Sequence, residues 1–202
     1  MKPMPKIGMK AIRQAQLINA TLTVIDRVGL ADASLALIAK EAGVSTGIVS
    51  HYFGDKNGLL YACMRQIMSD LYKALERHRA DAQADPQAQI TAIINGNFDV
   101  ADITSPVLKT WLVFWTNSLH QPNLHRLQRI NDRRLYSNLT AHFSRVLPKE
   151  QARAAGASMA ALIDGTWLRM TLTSQPMEQG LEQARSLCYQ NLALWLTSAP
   201  TP

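Results

Sequence analysis

Residues 34–60 read SLALIAKEAGVSTGIVSHYFGDKNGLL, and the succession of residue types in this stretch points to helices joined by a tight turn. Ser34 offers a hydroxyl to the free amides of a helix start, and Leu35, Ile38 and Ala39 keep helical apolar spacing up to a stop at Gly43. In Ala42-Gly43-Val44 the glycine supplies a backbone angle that other residues resist. Ser45 then caps a third, very short helix running through Tyr52. Two helices so joined form a helix-turn-helix, and the second of such a pair enters the major groove of DNA.

On that short helix Val49 and Phe53 are four apart and face the core, which leaves Thr46, Gly47, Ile48, Ser50 and Tyr52 toward the groove. Gly47 lets the backbone approach closely. Thr46 and Ser50 can bond base edges or phosphates, Ile48 can touch a thymine methyl, and the Tyr52 hydroxyl reaches phosphate height. His51 is read as a packing residue, pointing partly toward the core. Lys56 sits in the first turn of the next helix, against its macrodipole, and a phosphate there would explain the mismatch.

Upstream, residues 10–28 form an amphipathic helix with Ile12, Leu17, Ala20, Val24 and Val28 on or near one face, ending at Gly29. Lys2, Lys6, Lys10 and Arg13 all precede the first acid, Asp26. Four charges of the net +6 therefore lie on this arm, and the remaining chain is close to neutral. A basic leading arm suits a polyanion partner at one end.

Downstream, Leu60, Met64, Ile67, Leu71 and Leu75 lay an apolar stripe along a helix from Asp55 to about Ala80. Pro86, Pro106, Pro122, Pro148 and Pro176 then recur at spacings that suit helices punctuated near their first turns. Period-two alternation is absent from every stretch longer than four or five residues. The reading is all-α, about nine helices: a three-helix DNA-binding unit over residues 1–55, then a larger ligand-sensing and dimerisation unit over 56–202. Eleven of thirteen aromatic residues, including all four tryptophans, lie in that larger unit.

Several classes are excluded. No apolar run approaches the roughly 18 to 20 residues that span a bilayer, and no apolar segment follows the basic start as in a signal peptide. Cys63 and Cys188 form no CxxC pair and read as buried thiols of a cytoplasmic protein. GxSxG, Walker, GxGxxG and HExxH motifs are missing, so an enzyme is not expected. His120 and His125 do not share a helix face, so neither is a metal site.

The 34–60 stretch closely resembles the DNA-binding signature of TetR-type repressors. The resemblance continues in PKIGMKAIRQAQLINATL at the start, INGNFD from Ile94, LVFWTNSLHQPNLHRLQ from Leu112 and AALIDGTWLR from Ala160, which are similar to the choline-responsive repressors of glycine betaine synthesis. It implies a homodimer that holds double-stranded operator DNA, represses genes of osmotic protection and is released by choline, with no cofactor. It also implies that Ser34, Ser45, Thr46, Gly47, Ser50, Tyr52 and Lys56 line the DNA, with Lys6, Lys10 and Arg13 touching phosphate or the minor groove.

In the sensing unit Trp111 and Trp115 are four apart on one helix, and Asp164 and Trp167 three apart on another. Tryptophan faces attract a quaternary ammonium, and a carboxylate adds Coulombic attraction without needing a hydrogen bond from the methylated nitrogen. Asp99 and Asp102 are alternative acids, and Phe98 and Tyr136 alternative walls. Tryptophans at helical spacing also serve simply as core, so a constitutive DNA-binding protein, or a repressor sensing another cation, stays open. Two final helices, from about Lys149 to Thr173 and Met177 to Leu196, carry small residues (Ala154, Ala155, Gly156, Ala157, Ser158, Ala160, Ala161) suited to close pairing between two copies. Arg126, Arg129, Arg133 and Arg134 read as a solvated or salt-bridged face.

Overall fold

The computed structural model of the chain describes residues 6–99, 101, 103–173 and 175–197, with side chains from Gly8 onward. Among the described residues there are nine helices and no strand: α1 (Lys6–Asp32), α2 (Leu35–Glu41), α3 (Thr46–Phe53), α4 (Lys56–Asp81), α5 (Pro86–Asn97), α6 (Ser105–Ser118), α7 (Pro122–Phe143), α8 (Lys149–Leu172) and α9 (Met177–Thr197). Side-chain caps set several starts. The Leu37 amide donates to Ser34 Oγ at 3.1 Å, the Gly58 amide to Asp55 Oδ1 at 2.9 Å, and the Ala88 amide to Asp85 Oδ2 at 2.9 Å. Pro86, Pro106 and Pro122 stand in the first turns of α5, α6 and α7, where the missing amide hydrogen costs nothing.

Helix α1 departs from expectation at its end. Gly29 takes φ 75 and ψ 166, yet helical bonding resumes for one more turn to Asp32, with the Ala33 amide on the Gly29 carbonyl at 3.2 Å. Glycine breaks the axis here without ending the helix, because a positive φ costs it little. Gly43, at φ 63, makes the turn between α2 and α3.

Two apolar cores share one helix. Leu17, Val24, Ile25, Ile38, Ala39, Val49 and Leu59 belong to the first; Leu60, Met64, Ile93, Phe98, Trp111, Phe114, Phe143 and Trp167 belong to the second. Leu59 and Leu60 are neighbours on α4 and fully inside different cores, since one residue step turns a side chain by about 100°. Leu30 and Val113 touch both cores.

The small-residue run on α8 is not all outward. Ala155 and Gly156 are buried within the protomer, and a Cβ on Gly156 would run into Thr140 Oγ1 of α7. Gly156 therefore brings α8 close against α7, while Ala154, Ala157 and Ala161 are exposed. Likewise, a Cβ on Gly96 would lie 2.7 Å from the Leu75 Cα, so α5 crosses α4 backbone to backbone.

Candidate functional site

The recognition surface is built on α2 and α3. Gln16 of α1 donates to the Ala42 carbonyl at 2.6 Å and Arg27 pairs with Glu41 at 3.0 Å, which fixes the turn against the first helix. On α3 Val49 is fully buried and Phe53 half-buried, as the spacing requires. Thr46, Gly47 and Ser50 are exposed together on the opposite side, with Ser45 at the helix start. Ile48 and Tyr52 are half-buried, resting against the first core, so they present an edge and not a whole side chain.

Three expectations about this surface need correction. The Ser45 hydroxyl makes no capping bond, although its backbone angles are those of a cap. It stays exposed beside Thr46. His51 is exposed, not packed; its ring stands edge-on to Tyr52 at 5.5 Å, and the core-facing positions are taken by Val49 and Phe53. Lys56 needs no phosphate to explain its place, because its ammonium donates to the Ala31 carbonyl at 2.9 Å, in the extra turn that follows Gly29. An ammonium carries three donors, so that bond leaves others for a phosphate. Ser34 is exposed at the start of α2 but its oxygen already accepts the Leu37 amide. Lys10 is exposed and Arg13 donates to Gln16 at 2.7 Å; the Lys6 side chain lies outside the described residues.

In the sensing unit the two tryptophan pairs converge. Trp111 and Trp115 of α6 have ring centroids 5.7 Å apart, and Trp167 of α8 meets Trp111 edge-on at 5.7 Å. With Asp164, Asn97, Asn131 and Leu135 they wall a small cavity of about 30 Å³. Trp167 is oriented by donating Nε1–H to the Asn97 carbonyl at 3.2 Å, whereas the buried Trp111 Nε1 has no partner among the described residues. Asp164 has neither an ion pair nor a hydrogen bond among the described residues. Burial pushes its carboxyl up to about 6, and the negative charge of Asp132 adds to the effect. An acid held this way gains when a cation arrives.

The alternative acid and walls are placed elsewhere. Asp99 pairs with Arg77 and His78, each at 3.2 Å. Burial opposes its ionisation, but bonds from the Ala101 amide, Arg77 and His78 outweigh that and hold its carboxyl below the usual range. It is a satisfied structural anion, not a cage acid. Tyr136 is exposed, one position past the wall residue Leu135, and Phe98 is buried in the core without lining the cavity. Asp102 lies outside the described residues. Asn97, buried, and Asn131, half-buried, line the cavity unforeseen, since neither stands in a motif that marks it.

Helix α6 also touches the recognition unit. Lys109 reaches Asp26 of α1, with Nζ at 2.8 Å from Oδ1 and at 2.9 Å from the backbone carbonyl, and Ser105 donates to the same carboxylate at 2.7 Å. The Lys109 bond above all, with Ser105 assisting against burial, holds the Asp26 carboxyl below its ordinary value. Among the described residues no group of His, Cys, Asp and Glu could hold a metal, and no helix is long and apolar enough to cross a membrane. Arg126, Arg129 and Arg133 are exposed on α7, and Arg134 lies over the Tyr72 ring at 5.7 Å.

Comparison with known proteins adds a second line. Residues 17–63 match the model of bacterial regulatory proteins of the tetR family, and residues 86–196 match that of the C-terminal part of BetI-type transcriptional repressors. The HTH-type transcriptional regulator BetI of Ectopseudomonas mendocina is 54% identical over 197 residues, covering 97% of this chain and 100% of the relative. That of Proteus mirabilis is 58% identical over 174 residues, 86% and 87% of the two chains. Among solved structures, a transcriptional regulator from Rhodococcus sp. Rha1 superposes with a TM-score of 0.79 at 23% identity, covering 94% and 98%. A regulator from Saccharomonospora viridis, solved in complex with choline, does so with a TM-score of 0.75 at 18% identity, covering 91% and 96%. These likenesses support the fold.

Proposed function

The chain belongs to the BetI-type transcriptional repressors of the TetR family, DNA-binding regulators and not enzymes, and from that membership we propose that it represses glycine betaine synthesis genes and is released from its operator by choline. The observation that carries the ligand is Asp164, a partly buried carboxylate without a counter-ion, beside three tryptophans. A trimethylammonium over those rings gains about 2 kcal/mol from the ring faces when desolvated, and it supplies the charge that Asp164 lacks. The choline complex of the Saccharomonospora viridis regulator, a protein of the same fold, supports the same class of ligand.

Residues 1–55 act as the DNA-binding unit and 56–202 as the sensing and dimerising unit, with α4 common to both. Thr46, Gly47 and Ser50 read base edges, Ser34, Ser45, Tyr52 and Lys56 meet phosphates, and Ile48 offers its exposed edge to a thymine methyl. Lys6, Lys10 and Arg13 follow the backbone from the arm. Two copies pair through the exposed sides of α8 and α9, where Ala154, Ala157, Ala161, Leu172 and Leu194 lie open. Their recognition helices then meet successive major grooves about 34 to 36 Å apart. The regulator works in the cytoplasm, where operator and choline meet.

Induction follows from α6. The cavity is small, so seating a group with three methyls between the rings presses on Trp111 and Trp115, and α6 carries that displacement to Asp26 of α1 through Lys109. Choline must bind the released arrangement better than the DNA-bound one, and operator DNA must weaken choline binding by the same factor. Operator retardation with and without choline, betaine serving as control, tests the reading in the wild type and in Trp115→Ala. The expected result is release by choline in the wild type, and in the variant normal operator affinity with about 30-fold weaker response. Operator binding indifferent to choline in the wild type would make this a constitutive DNA-binding protein.

A further inference from the structure

A second, larger cleft of about 480 Å³ opens between α4, α5 and α7, and it shares Leu71, Asn97, Asn131 and Leu135 with the tryptophan cavity. The two spaces are thus adjoining parts of one site, and their charges differ in sign. The tryptophan end is lined by one acid, Asp164, and no base; the cleft is lined by Arg65, Arg79 and Arg134 and no acid. Arg79 is partly committed, donating to Gln89 at 3.1 Å and standing 3.6 Å from Glu76. Arg65 and Arg134 make no ion pair with any described carboxylate, and Arg134 is held over the Tyr72 ring. Free choline, with a neutral hydroxyl, leaves this basic end unused.

We infer that the joined site takes phosphate esters of choline, with the trimethylammonium against Trp115 and Asp164 and the phosphate, set farther from the nitrogen than the carboxylate of betaine, against Arg65 and Arg134. The inference rests on the cation cage proposed above. A phosphate monoester carries about −1.5 to −2 charge near neutral pH, and the planar guanidinium fork meets its oxygens in pairs. Ser69, Asn131 and Asn138 line the same cleft and offer neutral donors to the remaining oxygens. The acid and the arginines are divided between the two ends, so a dipolar ligand is oriented one way and a simple anion has no reason to enter the tryptophan end.

The test titrates the full-length protein with choline, choline phosphate and inorganic phosphate, reading tryptophan fluorescence and heat of binding. Arg65→Gln/Arg134→Gln is the comparison, both side chains being at the surface and outside the tryptophan cavity. Choline phosphate should bind at least tenfold tighter than choline to the wild type. The double variant should lose that margin while its choline affinity changes less than twofold, which also certifies its fold. Choline phosphate bound no tighter than choline, or equally well by the double variant, overturns the inference and leaves the cage standing. Failure of choline and choline phosphate alike overturns both. The same phosphocholine group occurs on lipids, so co-sedimentation with phosphatidylcholine vesicles forms another arm. Arginine-dependent binding there supports the site and assigns its ligand to a bilayer.

Discussion

In the first unit the side chains offered to DNA lie outside a core of small aliphatic residues, with no aromatic ring among its fully buried members. In the second, aromatic rings such as Phe98, Trp111, Phe114, Phe143 and Trp167 are buried among the aliphatic side chains, and the candidate cation cavity lies against the two tryptophans among them. Among the described residues, every buried side-chain nitrogen or oxygen without a partner falls between Thr110 and Asn191, Trp111 Nε1 included. Each such group costs about 1 to 3 kcal/mol relative to a bonded one. A recognition surface can be fully satisfied and still work, because its ligand comes to the outside. Of the unpartnered groups in the second unit, Trp111 Nε1 is the one that lines the tryptophan cavity, where an incoming molecule could change the balance.

Asp164→Asn should break this contrast most strongly. At pH 7.5 it removes the carboxylate from the cage, and choline affinity should fall about tenfold while operator affinity stays the same. The pH profile fixes the cause. Asp164 is raised to about 6, so in the wild type choline binding should be full above that value and weaken as pH falls through it and the carboxyl takes up a proton. The variant should show no such step. A carboxyl with a raised pKa also opposes folding as pH rises through its titration, so the variant's thermal midpoint at pH 7.5 should equal or exceed the wild type's. A lower midpoint would mean that Asp164 holds the fold together.

Lys109→Met should have a smaller effect, and on the connection between units instead of on either one. Half-exposed ion pairs contribute about 0 to 1 kcal/mol, so stability should barely move. Choline should bind as before, but the factor by which it weakens operator binding should drop about fivefold, or about 1 kcal/mol of coupling. Unchanged coupling, measured by titrating choline against free and operator-bound protein, would leave α4, whose residues Leu59 and Leu60 enter the two cores, to carry it. Smallest of all, Lys56→Ala should weaken binding to every DNA sequence alike and lower the salt slope by about 1, leaving choline binding untouched. A loss confined to one base position would show that Lys56 reads sequence.

The contrast also explains what was legible from residues alone. Helix boundaries, the proline punctuation and the recognition unit are local: Ser34, Gly43 and the Val49/Phe53 pair act within a few positions of each other. The tryptophan cage was legible in part, because each half lies on one helix at helical spacing. What escaped was set by contacts between distant segments. Asp99 looked available until Arg77 and His78, 22 and 21 residues earlier, turned out to hold it. Tyr136 missed the wall by one residue, a rotation that no pattern on α7 announces. His51 was drawn inward by its apolar neighbours, although Val49 and Phe53 already fill that side of α3. Asn97 and Asn131 belong to α5 and α7 and meet only in the folded chain.

Lys109 and Trp115 are six residues apart, about 9 Å along a helix axis. Helices of this length bend little, so under the induction proposed above α6 would act as a short lever with its load arm on the tryptophans and its hinge pin at Asp26. A tilt of about 10° over that span displaces the far end by about 1.6 Å. If α1 turns with the pin, the recognition unit packed on it turns too, and under the proposed induction a small tilt becomes a misfit between two grooves of DNA.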